Sequence, residues 1–217
     1  MNAAHFIRHP VAWTALTLAA LTALWLAMHS PISLITQIAI YTLYGAGVNL
    51  LVGYTGLVPF GASVFFGCAS YAAAFFINAR LGNEILAIVA SIVFTMILAL
   101  VIGAIILRRR GLYFSLLTLA FSQIAFEAAF KWTSLTGGEN GMQGISRSVF
   151  VTDGSYHAFV CVIVLVGMWL MWRLAHAPFG RALQAVRDNE QRARSIGYNI
   201  YMVRLGAMMA MAAALGC

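Results

Sequence analysis

Charge is what this sequence most lacks. Only 9% of its 217 residues are Asp, Glu, Lys or Arg, with six acids in all and a single lysine, Lys131, where a soluble domain carries about 25% charged residues. A folded surface so poor in charge is mostly apolar, which excludes a soluble enzyme and a disordered chain. Cysteine is equally sparse. Cys68, Cys161 and Cys217 lie far apart inside apolar runs, without C-x-x-C spacing, so a disulfide scaffold is excluded and they read as small buried hydrophobes. No G-x-x-x-x-G-K-[ST] segment is present, so the chain does not cradle ATP phosphates itself. There is no H-E-x-x-H pair and no G-x-S-x-G elbow. His5, His9, His29, His157 and His176 fall at the ends of apolar runs or between them and read as interfacial side chains. No catalytic residue, metal ligand or bound cofactor is expected.

What is present is apolar length: 62% of the residues are hydrophobic and the mean hydropathy is +0.89. A span of the bilayer takes about 20 apolar residues, and seven such runs follow one another at 11–28, 32–52, 62–79, 85–107, 112–130, 157–174 and 201–217. The expected fold is therefore all-α, a polytopic transmembrane bundle forming one domain over 1–217. The first run is longer than a signal-peptide core of about 7–15 residues and lacks an A-x-A site, so it reads as an uncleaved span. The last has 17 residues from Tyr201 to Cys217 and stops while still apolar, which leads us to expect further helices beyond it.

The net charge of +7 reports topology before it reports partners. With the N-terminus in the cytoplasm, the inner segments hold Arg8, Arg108, Arg109, Arg110, Arg173, Arg181, Arg187, Arg192, Arg194 and Arg204, and the outer ones Arg80, Lys131 and Arg147. Cytoplasmic loops collect basic residues in this way, so the N-terminus is placed inside and nucleic acid is not an expected partner.

Few polar groups fall within the spans. Glu127 lies 17 residues beyond Arg110, roughly 25 Å along a helix at 1.5 Å per residue, near the outer interface. Four residues from Lys131, it reads either as a surface-level ion pair or as a pathway acid. Gly53, Gly56, Pro59 and Gly61 interrupt the second and third spans. Non-helical backbone at that depth either lines a cavity or forms a tight inner turn buried in protein. Thr55 lies in the same segment. Asn49 has the chemistry for a hydrogen bond across helices, and Gly45-Ala46-Gly47 the small surface for close helix packing.

The stretch 176–200 is polar, and Pro178 stops the span before it. Leu183, Val186, Ala193 and Ile196 recur at helical spacing and Gly197 stands where a helix would stop. A short amphipathic helix on the cytoplasmic face is expected, resting on anionic lipid, solvated, or docked into a partner's groove. Asp188 and Glu190 among the arginines weaken the lipid reading.

Three ordered segments carry a family resemblance. They are Val48-Asn-Leu-Leu-Val-Gly-Tyr-Thr-Gly56 running on through Phe60-Gly61 to Ser70-Tyr71; Arg110-Gly-Leu-Tyr-Phe114 with Thr118-Leu-Ala-Phe121, Leu135-Thr-Gly-Gly138 and Asn140-Gly141; and Pro178-Phe-Gly-Arg-Ala-Leu183 through Arg187, Asn189, Glu190 and Gly197. Together the chain resembles the permease subunits of branched-chain amino acid ABC importers of the LivM type. The resemblance implies that Pro178, Phe179, Gly180, Arg181, Leu183, Val186, Arg187, Asn189, Glu190 and Gly197 form the coupling segment that docks on a cytoplasmic ATPase. Asn49, Gly53, Thr55, Gly56, Gly61, Gln123 and Glu127 become candidates for the translocation pathway. The family commonly has an acid where Gln123 stands, and Glu127 lies one turn away. Thr136, Gly137, Gly138 and Gly141 form an outer loop that would meet a soluble periplasmic binding protein.

The implied setting is a bacterial inner membrane, with ATPase subunits that use ATP and Mg and a second permease subunit. The implied cargo is a branched-chain amino acid, with urea, short amides or a sugar as alternatives in related permeases. An autonomous carrier or channel is the competing class.

Overall fold

Where about 20 residues are apolar and the backbone has no water to bond, an α-helix is the local solution, because it satisfies each N–H and C=O within the segment. The computed structural model describes residues 32–79, 83–108, 111–143 and 152–217, together with positions 12, 14, 16, 17, 19 and 20, which are helical. Most of the expected first span lies outside the described residues, as do Arg8, Arg80, Arg109, Arg110 and Arg147.

The described residues form an all-α bundle with no strand. Helix α1 is Ile32–Asn49 and runs into a wider π-helical turn, Leu50–Thr55. Helices α2 (Ser63–Asn78), α3 (Glu84–Ile106) and α4 (Leu112–Lys131) follow. A short α5 (Thr133–Thr136) and a 3-10 turn, Gly138–Asn140, lead towards α6 (Asp153–His176). The polar stretch forms α7 (Pro178–Asp188) and α8 (Glu190–Ser195), and α9 is Ile200–Leu215. Four of these segments are long and apolar enough to cross a membrane, namely Ile32–Thr55, Glu84–Ile106, Leu112–Lys131 and Asp153–His176; α2 and α9 are shorter and apolar.

The boundaries follow local chemistry. Glu84 stands in the first turn of α3, where the helix dipole favours an acid. Gly56, at φ 70°, ends the π-helical turn in the left-handed region that a side chain would disfavour. Ala177 is extended because it precedes Pro178, and the proline opens α7 at its first position, where no N–H is needed.

Helix α9 is the hub. It packs along α3 and α1 and touches α2, α6 and α7, with Ala207, Met208, Met211 and Ala212 completely buried. Small residues let the neighbours close in. A Cβ on Gly47 would stand 2.8 Å from Leu215 Cδ1, and one on Gly103 would stand 2.8 Å from Leu205 Cδ1. Gly167 of α6 receives Leu43 of α1 in the same way. Of the small triplet in α1, therefore, Gly47 serves close packing, while a Cβ on Gly45 would meet no neighbour within 4 Å.

Counting the shorter α2 and α9, successive apolar helices alternate in direction. At one end the Leu50–Thr55 turn, α7 and the start of α9 meet, and Tyr201 Oη donates to Ala104 O near the end of α3 (3.4 Å). At the other end Ser91 Oγ of α3 donates to Gly216 O beyond α9 (2.7 Å), and Thr36 Oγ1 of α1 lies 2.9 Å from His157 Nδ1 of α6. Isoleucine, leucine, valine and phenylalanine side chains of α3, α4 and α6 are exposed around the outside, such as Ile97, Leu116 and Val162. Beyond Thr118 no residue of α4 is buried, so most of that helix stands away from the bundle.

Candidate functional site

The basic residues gather at one end. Among the described residues, Arg108, Arg173, Arg181, Arg187, Arg192, Arg194 and Arg204 lie at the α7 end with Asp188 and Glu190, whereas Glu84, Glu127, Glu139 and Asp153 lie at the opposite end with Lys131. The most polar surface of the chain, α7 and α8, covers the arginine-rich end.

The expected single helix over this stretch is two helices. Asn189 breaks it with an extended backbone, φ −158°, and its side-chain Oδ1 accepts from Arg192 N (3.0 Å), capping α8. An Asn side chain competes for backbone N–H groups in this way, which makes it a cap more readily than a mid-helix residue. The expected apolar stripe also changes at one position. Leu183, Val186 and Ala193 are buried, but Ile196 is 69% exposed, and Ile200 of α9 joins the cluster of Val186 and Ala193 instead. The chain turns at Gly197, where a stop was expected, with φ 96°.

These residues divide by direction. Gly180, Leu183 and Val186 face the chain's own core. Gly180 is pressed so closely on α6 that a Cβ there would overlap the Ala175 carbonyl. Phe179 lays its ring over Gly206 of α9, 3.1 Å from where a Cβ would stand. Pro178, Arg181, Arg187 and Asn189 are exposed, so they and their neighbours Gln184, Arg192 and Arg194 make the outward surface. Glu190 is half-buried and accepts a charge-assisted hydrogen bond from Arg204 Nη2. A small cavity of about 340 Å³ adjoins it, lined by Gln191, Arg194, Ser195 and Ile200.

The segment 53–61 lies against this surface, with Thr55, Leu57, Pro59 and Gly61 buried and Gly56, Val58 and Phe60 exposed. Arg187 Nη1 donates to Gly53 O, and its aliphatic stem lies over Gly56, 3.3 Å from an added Cβ. Thr55 is buried; its Oγ1 donates to Leu51 O and accepts from Leu57 N (3.4 Å). Ser115 Oγ donates to Val58 O (2.7 Å), and Gly61 N donates to Thr118 Oγ1 (3.3 Å). A Cβ on Gly61 would overlap the Thr118 carbonyl. Irregular backbone at membrane depth needs such partners, and α4 supplies them. Asn49 is exposed at the end of α1, with Oδ1 2.9 Å from a Cβ on Gly53.

Gln123 and Glu127 are exposed on α4, five and nine residues beyond Thr118, and are not brought together with Asn49 or 53–61. Glu127 pairs with Lys131 at 3.1 Å. At the far end Thr136 is buried and organises the loop that follows α4: its Oγ1 donates to Trp132 O (2.7 Å) and accepts from Gly138 N (3.3 Å). Gly137, Gly138 and Gly141 all have positive φ, and the fold at Gly137 leaves no room for a Cβ against Gly141 O.

A second cavity, about 460 Å³, opens at that end between α1, α2, α3 and α6. It is walled by Leu43, Phe66, Val160 and Ile163, with Tyr44, Ser70, Glu84, Ser91 and Tyr156 as polar points. Among the described residues no three His, Cys, Asp or Glu side chains are close enough together to hold a metal ion.

Sequence reasoning missed three of the groups that shape this site. Ser115 looks like an ordinary small polar residue in a span, and Thr118, though it opens one of the family-like segments, carried no local signal of this packing role. Arg204 carried a signal: a charge one turn inside an apolar run calls for a partner.

These features define a multi-pass helical membrane protein with a basic helix pair seated on one end of the bundle. The family described as branched-chain amino acid transport system / permease component matches residues 30–216, and the chain belongs to it. Two relatives are 26% identical over 214 residues, covering 85% of this chain and 50% of theirs. Both are high-affinity branched-chain amino acid transport system permease proteins LivM, from Salmonella typhimurium and Escherichia coli. A probable branched-chain amino acid transport permease protein LivM of Methanocaldococcus jannaschii is 26% identical over 207 residues, 78% of this chain and 60% of that one. The chain thus spans about half the length of the first two relatives it matches. No solved structure matches it.

Proposed function

We propose that this chain is part of the membrane-spanning permease of an ATP-binding-cassette importer that passes branched-chain amino acids inward. The observation that carries the reading is the α7–α8 pair. It buries Leu183, Val186 and Ala193 against the bundle while turning Arg181, Arg187, Asn189 and Arg192 outwards. A helix pair seated on the bundle in this way moves with it, which is what coupling to an external ATPase requires.

In this reading the arginine-rich end faces the cytoplasm, as the bias of basic residues favours. The N-terminus is then inside and seven spans are made. ATPase subunits dock on the outward surface of α7 and α8 and use ATP with its Mg, so hydrolysis is not this chain's work. A second permease subunit completes the pathway in a bacterial inner membrane, and a periplasmic binding protein meets the outer loop at 136–141. The segment 53–61, held between Arg187 and α4, acts as a joint that passes movement of α7 to α1 and α2. Asn49, Gln123 and Glu127 are the exposed polar groups available to the pathway.

The test is co-purification. The chain is expressed in its own host with the candidate ATPase encoded nearest to it, extracted in detergent and passed through gel filtration. Retention of the ATPase, lost when residues 179–183 are scrambled, is the expected result. An intact chain that transports while running alone would bring an autonomous carrier to the front.

A further inference from the structure

Arg204 has no part in the coupling segment as read from the sequence, yet it is an arginine almost wholly withdrawn from solvent. It stands in the second turn of α9 with its side chain 8% exposed, and the side chain of Glu190, the first residue of α8, is 25% exposed. Arg204 Nη2 donates to Glu190 Oε1. A guanidinium is never deprotonated in a protein, so at this burial it needs a carboxylate partner to be tolerated.

The position of the pair matters as much as its chemistry. Glu190 directly follows the break at Asn189, so α8 is a separate short piece rather than an extension of α7. Arg204 belongs to the helix that packs along α3 and α1 and reaches α2 and α6. A hydrogen-bonded ion pair therefore joins the start of α8 to the hub of the bundle. Ala193 of α8 and Ile200 of α9 also pack together, and apolar surfaces slide more easily than a directional charged bond.

We infer that Arg204 is a positioning residue and that its pair with Glu190 is the strut by which displacement of α7–α8 is passed into α9. Glu190 then acts inwards, on its own chain, rather than as a contact for the ATPase. The inference rests on the reading of α7–α8 as the coupling segment.

The experiment measures uptake of labelled leucine per ATP hydrolysed, in vesicles holding the chain with its ATPase, partner permease and binding protein. Four variants are compared: Arg204→Gln, Glu190→Gln, Arg204→Lys, and the exchange Glu190→Arg with Arg204→Glu. The two neutral variants should retain the ATPase through gel filtration while uptake per ATP falls about tenfold or more, the scale of losing one charge-assisted hydrogen bond. Arg204→Lys and the exchange should recover most of it, which a residue needed only for packing would not do. Should the neutral variants fail to reach the membrane, the exchange carries the test alone: recovered uptake supports the strut, and uptake still about tenfold down with the ATPase retained overturns it. Neutral variants that transport like the wild type also overturn it. A wild-type chain that never retains the ATPase removes the coupling reading, whereas wild-type uptake indifferent to all four variants removes only the strut.

Discussion

Arg187 reaches across 134 residues of sequence to donate a hydrogen bond to the carbonyl oxygen of Gly53. The contact ties the outward surface of α7 to the π-helical turn that follows α1, and Gly56 lies under the same side chain. Gly53 O has lost its helical partner in this turn, so an arginine that satisfies it both holds the turn and links it to α7.

Removing that link should loosen coupling more than folding. The guanidinium is exposed, so Arg187→Gln should cost only about 1 kcal/mol of stability, since solvent screens the charge. We expect the chain to accumulate normally in membranes while leucine uptake per ATP hydrolysed drops roughly fivefold, the factor that corresponds to about 1 kcal/mol in an equilibrium. Unchanged uptake would show that the joint at 53–61 is indifferent to α7.

Glycines in this chain should respond to alanine in opposite ways. At Gly61 an added Cβ overlaps the Thr118 carbonyl, a backbone atom that cannot turn aside. Overpacking of this kind costs about 1–3 kcal/mol, so Gly61→Ala should lower the detergent melting temperature by several degrees. A Cβ on Gly67 of α2 would meet no neighbour within 4 Å, and Gly67→Ala should be neutral or stabilising by up to about 1 kcal/mol, because alanine is the better helix former. Equal melting temperatures for the two variants would contradict the packing of the 53–61 turn on α4.

Phe179 and Gly206 form a ring-on-glycine contact between α7 and α9. Gly206→Leu would displace the ring and tilt α7, whereas Phe179→Ala would leave a gap costing about 3 kcal/mol in a well-packed site. Both should release the ATPase during gel filtration at detergent concentrations that the wild-type complex survives. Retention with both variants would mean that docking does not depend on the seating of α7.

Glu127 and Lys131 are a surface pair, with side chains 48% and 77% exposed. An exposed pair four residues apart in a helix contributes about 0.3–0.5 kcal/mol. Glu127→Gln should therefore leave the melting temperature within about a degree of the wild type. Loss of uptake in a variant of unchanged stability would assign Glu127 to the pathway, and unchanged uptake would leave it as a surface pair.

Much of the architecture was legible before folding because hydrophobicity is a property of local windows. The expected run at 85–107 became Glu84–Ile106, and that at 112–130 became Leu112–Lys131, since an apolar run of span length has no competing conformation in lipid. Pro178 and Gly197 marked the limits of the polar α7–α8 segment for equally local reasons, a missing N–H and a left-handed turn. The break at Asn189 was missed because Asn is compatible with either a helix interior or a cap, and the capping bond to Arg192 decides between them.

By itself the sequence determined the all-α membrane class, the apolar spans, the clustering of arginine on alternate connections, and the three motifs that mark the permease family. Only the tertiary structure decided that Leu183 and Val186 face inwards, that Thr118 closes on Gly61, and that the partners of Gly53 and Glu190 are Arg187 and Arg204. Those pairings join residues 14 to 134 positions apart. No window of sequence contains both partners of the longest of them, and only the packing of α7 and α9 on the bundle brings the charges and the bare carbonyls within reach.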